Sequence, residues 1–173
     1  MTQLESDLAA FEDARRQFVD AMAGVPTEAL TYLSPGDDYA LGGLVTHVIA
    51  VLRRYGGILD AIVANPSVEL DGVPFDQEMV RENERATDGL TAATRPAAMA
   101  SMHALHEHVA ATLAAVGSAN YDRRTPVRFL GGDAPYPTGA PDIAGWLTGH
   151  YLEHIPHVEE LLQAWRVAPT PAP

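Results

Sequence analysis

Three histidines crowd into eight positions of the stretch GHYLEHIPHVEEL, at His150, His154 and His157. On a helix, residues four apart lie about 40° apart around the axis and residues seven apart nearly superpose, so all three share one face. Their companions on that face are Trp146, Leu147, Leu161 and Trp165, which marks it as the core-facing side. A buried imidazole nitrogen without a partner costs about 1 to 3 kcal/mol, so such a row calls for a ligand or for hydrogen-bond partners. The four-residue spacing of His150 and His154 lets one helix offer two imidazoles to a single metal ion.

Two ligands are too few, and a third must come from another element. His47, in LGGLVTHVIAVLRRY, lies at the edge of an apolar stripe, close to Val51 and Ile58, and in a helical bundle it can turn inward. Three histidines with coordination positions left open suit catalysis, because structural zinc is closed by four protein ligands. The chain has no cysteine, which excludes disulfides, thiolate ligands and cysteine nucleophiles together. Imidazole donors suit Zn, Ni, Fe or Cu, and the residues alone do not choose among them.

A second histidine cluster, MHALHEH, divides by helical position. His103 and His108 fall off the apolar stripe and read as solvated, whereas His106 lies between Met102 and Val109 on the inner face. It reads as a hydrogen-bonded core histidine, with support of the metal ligands or a fourth ligand as the alternative. No general base is identified. Glu153 points about 100° away from His154 and reads as a surface residue. Tyr55, two turns beyond His47, and Arg15, in the middle of an apolar stripe, are candidates to line the pocket.

The elements that must position these side chains follow from apolar periodicity. Leu4, Leu8, Phe11, Phe18, Val19 and Met22 predict a helix over residues 3 to 23, closed by Gly24 and Pro26. Leu44, Val48, Val51, Tyr55, Ile58 and Ile62 predict a second from about Tyr39 to Ala64, stopped by Asn65 and Pro66. Residues 66 to 75 read as a loop, followed by a short polar helix ending near Gly89. A long helix from about Pro96 to Val116 comes next, then a Gly/Pro-rich loop over residues 121 to 141. Within that loop TPVRFL is a possible extended segment with no evident pairing partner. The last helix opens near Asp142, is loosened at Pro156, and ends about Arg166, leaving residues 167 to 173 as a disordered tail. With no repeat and no alternation of strands and helices, the expected class is all-α, a four-helix bundle forming one domain over residues 1 to 166.

Composition agrees with one domain: 173 residues, 47% of them hydrophobic. Eleven basic residues, all arginine, face 23 acidic ones for a formal charge of −12. Such a surface repels phosphate backbones and anionic lipid, so neither nucleic acid nor a membrane surface is an expected partner. Glu5, Asp7, Glu12 and Asp13 stand where a signal peptide needs a basic start and an apolar run, so the expected location is cytoplasmic.

The arrangement resembles the DinB/YfiT-like superfamily of metalloenzymes over essentially the whole chain. In that family one histidine comes early on the second helix and an HxxxH pair comes from the last. The matching pieces are THVIAVLRRY with His47 and DIAGWLTGHYLEHIPHVEELL with His150 and His154. Against another family form, HxxHH, His154 and His157 match but the ligand position falls on Val158. His150 and His154 are therefore the preferred pair, with His157 a substitute ligand or a supporting partner. The resemblance implies a divalent nickel, zinc or iron ion, a homodimer and a small-molecule substrate. It further implies thiol-dependent transfer, isomerisation or hydrolysis, with any low-molecular-weight thiol supplied from outside. The leading expectation is a metal-dependent transferase or hydrolase. The alternatives are a non-catalytic bundle that holds metal or ligand in stress protection, and a metal-free interaction domain.

Overall fold

The computed structural model describes residues 1–168. Helix α1 spans Gln3–Ala23, opened by a reciprocal cap in which the Glu5 amide donates to Thr2 Oγ1 at 3.2 Å and the Thr2 amide donates to Glu5 at 2.7 Å. Helix α2 spans Gly43–Ala64, α3 Val73–Asn83, α4 Arg95–Val116 and α5 Ala140–Val167. Short 3-10 turns occupy Thr27–Ala29 and Glu84–Thr87. Packing of α1 along α5 and of α2 along α4, with α2 also touching α3 and α5, encloses Phe11, Phe18, Met22, Leu44, Leu52, Ile58, Leu59, Met102, Leu113 and Tyr151.

The second helix starts four residues later than periodicity predicts, because its leading amides bond elsewhere. Ala40 donates to the Ala86 carbonyl at 3.0 Å, Leu41 to Tyr32 at 2.8 Å and Gly42 to Leu30 at 2.8 Å, which ties the 30s segment and the turn after α3 to the start of α2. Gly43 closes the join: a side chain there would overlap the Ala86 carbonyl, so the approach is available only to glycine.

The all-α expectation needs correction, since a small sheet of three strands is present. β1, Leu70–Asp71, lies in the stretch expected to be loop, and β2, Thr125–Arg128, and β3, Tyr136–Thr138, lie in the Gly/Pro-rich segment. β2 is central, parallel to β1 with Leu70 opposite Val127 and antiparallel to β3 with Val127 opposite Tyr136. The extended segment TPVR therefore does have partners. β2 alternates buried and exposed over its four residues, but its two- and three-residue partners carry no readable alternation, and the parallel one comes from more than fifty residues upstream.

The third helix likewise begins earlier than expected, at Val73, with Pro74 in its first turn. Helix α5 opens at Ala140 rather than Asp142; Asp142 sits in the first turn and accepts the Gly139 amide at 2.8 Å. It continues through Pro156 to Val167. Leu152 and Pro156 are both exposed, so the hydrogen bond that proline removes falls on the solvent side, where water satisfies the freed carbonyl. The expected tail begins one residue too early at Val167, and its residues 169–173 lie outside the described residues.

Candidate metal centre

Helix α2 contributes His47 and helix α5 contributes His150 and His154. One ligand atom from each lies within 4.8 Å of the other two, a spacing that can hold one cation. Ring centroids are 4.7 Å apart for His47 and His150, 5.0 Å for His47 and His154, and 4.6 Å for His150 and His154. No carboxylate belongs to the group.

Hydrogen bonds engage one nitrogen in two of the three rings, His47 and His154. His47 Nδ1 lies 2.8 Å from Asn83 Oδ1, and because that amide oxygen only accepts, the proton sits on Nδ1 and the lone pair on Nε2. On α5, His157 Nε2 donates to Asp37 Oδ2 at 2.9 Å. His157 Nδ1 lies 3.4 Å from His154 Nδ1, so the His154 ring is engaged through Nδ1 while its Nε2 has no protein partner. Nε2 of both His150 and His154 is buried with no protein partner. Tyr39 stacks on His47 at 4.3 Å between ring centroids and meets His154 edge-on at 6.0 Å.

The electrostatics keep all three imidazoles neutral. Burial pushes His150 down to about 3, with the neighbouring His154, His47 and Arg54 adding to the fall. Burial likewise brings His154 down to about 4. His47 is also lowered by burial, against a smaller upward pull from the Asn83 hydrogen bond. Burial would raise Asp37, but the hydrogen bonds from His157 and from the Tyr39 amide outweigh it and hold the carboxyl below its ordinary range. Neutral imidazoles with lone pairs outward are the form that binds metal.

These observations test whether a divalent ion fits. Two buried, unpartnered nitrogens would each cost about 1 to 3 kcal/mol if left so, and a cation between them and His47 Nε2 satisfies both. Borderline-soft Zn, Ni or Fe suits an all-imidazole set, and three protein donors leave positions free for water or substrate.

The other expected site residues divide. His157 lies behind His154 as its hydrogen-bond partner. His106 sits in a separate cluster, stacked on Phe11 with centroids 3.9 Å apart and bonded to Glu12 at 3.0 Å, so it is a core histidine remote from the three-histidine group. Arg15 belongs to that same cluster, paired with Glu12 at 2.5 Å, and does not line the expected pocket. Tyr55 lines a cavity with Arg54 and Trp146, on the helices α2 and α5 that also carry the three histidines, though no histidine is in its wall.

Asn83, Asp37, Tyr39, Arg54 and Asp76 went unrecognised. Asp37 and Tyr39 lie in a turn whose Pro-Gly-Asp-Asp composition already explains itself, and Asn83 looks like an ordinary helix-end residue. Arg54, next in sequence to the candidate pocket residue Tyr55 on a largely apolar helix, was the one readable signal.

No curated protein and no solved structure matches the chain. A family model does, over residues 10–158, a span that includes His47, His150 and His154. The chain belongs to the DinB superfamily.

Proposed function

We propose that the protein is a metal-dependent enzyme of small-molecule metabolism, holding one divalent ion through Nε2 of His47, His150 and His154. The observation that carries this reading is the pair of buried, unpartnered Nε2 atoms on α5, facing a third imidazole whose proton is fixed on the opposite nitrogen. A bound nickel, zinc or iron ion would supply Lewis acidity, lowering the pKa of water or polarising a thiolate or carbonyl.

The chain's own residues supply the rest. Asn83 and the His157–Asp37 pair support the ligand rings, Tyr39 covers one face of His47, and the aromatic-walled cleft lined by Tyr55 and Trp146 offers a surface for the substrate. The absence of cysteine means that thiol-dependent transfer or isomerisation would use an external low-molecular-weight thiol; hydrolysis would need none. We read the four long helices as a DinB-type four-helix bundle in a single domain, with the sheet as an elaboration. We take it to work in the cytoplasm as a homodimer, on the family resemblance and on the −12 charge that disfavours anionic surfaces.

Metal analysis by mass spectrometry on untagged protein tests the reading. About one equivalent of Ni, Zn or Fe in the wild type, lost in His154→Ala, is the expected result. Metal-free protein in both cases, even after reconstitution, would overturn it.

A further inference from the structure

Next to the α2 and α5 segments that carry the histidines lies an open cleft of about 500 Å³ whose walls include Arg54, Tyr55, Phe129, Ala134, Tyr136 and Trp146. It is an aromatic-walled cleft with one cation in it. Trp146 stands one helical turn before His150 on α5, roughly 6 Å of rise, and Tyr55 two turns after His47 on α2.

The arginine is held in an unusual way. Its Nε donates to Asp76 Oδ1 at 2.5 Å and its Nη1 to the Tyr55 hydroxyl at 2.8 Å. Asp76, itself 4% exposed, spends its other oxygen on the Leu130 amide at 2.6 Å. A carboxylate that only neutralised Arg54 would take Nε and Nη2 together as a fork. Here Asp76 instead couples Arg54 to the segment that carries Phe129, and Nη2 has no protein acceptor among the described residues. The Tyr55 oxygen accepts from Arg54, so its own O–H is free to donate, and it too lacks an acceptor among the described residues. Two donors, one charged, therefore stand side by side on the wall of an open cleft lined by aromatic rings. Phe129 lies 5.4 Å from the guanidinium carbon, and the rings of Tyr55 and Tyr136 lie 5.2 and 6.2 Å from Trp146.

We infer that this cleft binds a small carboxylate with an aromatic or apolar body, its carboxyl group held by Arg54 Nη2 and the Tyr55 hydroxyl and its far end directed toward His150. A neutral body suits the aromatic walls; Asp76 offsets the charge of Arg54 through Nε, and Nη2 remains as a charge-assisted donor that favours a carboxylate over a neutral group. The inference names the substrate class for the metal centre proposed above and rests on that reading for its chemistry, but the binding itself needs no metal.

The test uses metal-stripped protein carrying Trp165→Phe, so that fluorescence reports Trp146, titrated with phenylacetate and with phenylacetamide. Phenylacetate is expected to bind at least tenfold tighter than the amide. Arg54→Gln should abolish that preference and Tyr55→Phe should reduce it several-fold. Equal binding of acid and amide, an unchanged preference in Arg54→Gln, or no binding of either probe would each overturn the inference. So would phenylacetate binding that appears only after metal is restored, which would place the anion on the ion. Should Arg54→Gln lose its helical circular dichroism, Ala134→Trp leaves the Arg54–Asp76 pair intact and fills the cleft; binding retained there refutes the location. Metal content measured on the same samples separates the two readings, because a chain without metal can still show the acid preference.

Discussion

The Nδ1 atoms of His154 and His157 lie 3.4 Å apart, with Asp37 2.9 Å from the far side of His157. Asp37, on the loop before α2, anchors His157, which engages His154 through Nδ1 and leaves the buried Nε2 of that ring without a protein partner. Asn83, at the end of α3, engages His47 directly through its Nδ1.

Removing these supports should weaken metal binding without removing a ligand. Asn83→Ala and His157→Ala are each expected to lower affinity about 10- to 100-fold, read by competition with a chromophoric chelator. His154→Ala should instead abolish binding. Equal losses in His157→Ala and His154→Ala would make His157 a ligand.

His106 separates structural from metal-linked histidines. It is fully enclosed between Phe11, Glu12 and Tyr151, so His106→Ala should cost about 2 to 4 kcal/mol of stability by urea denaturation, in line with other large-to-small core changes. Metal content should stay at the wild-type value.

Acid should destabilise the metal-free protein early. His150 sits at about 3 and His154 and His106 at about 4 in the fold, against an ordinary value near 6.5. As pH falls from about 6.5 toward 4, the unfolded chain takes up protons that the folded chain refuses, so stability present above that window is lost within it. Urea midpoints at pH 7.5, 6 and 5 should fall in that order, and less steeply in His106→Phe.

Gly43→Ala tests the join between α2 and the turn that follows α3. A methyl group there collides with the Ala86 carbonyl, so a loss of about 1 to 3 kcal/mol is expected. Because Asn83 leads directly into that turn, metal affinity should fall as well. Unchanged stability would show that the turn yields freely.

What the chain determines by itself is periodic and local. The apolar repeats of α1, α2, α4 and α5 placed all four long helices, and the four-residue spacing of His150 and His154 put two imidazoles on one inward face before any packing was known. His47 was legible for the same reason, as a polar residue beside a buried stripe. Everything that orients these ligands is contact between residues far apart in the chain: Asp37 with His157, Asn83 with His47, and Asp76 with both Arg54 and Leu130. Such pairs leave no periodic trace, since one hydrogen bond between two loops needs only one suitable residue on each. The sheet was hidden likewise, its strands being at most four residues long and its parallel partner lying beyond two helices, α3 and α4. Helical registers are written in a side chain's near neighbours; the supports of the ligand rings and the cavity walls are decided only when distant segments meet.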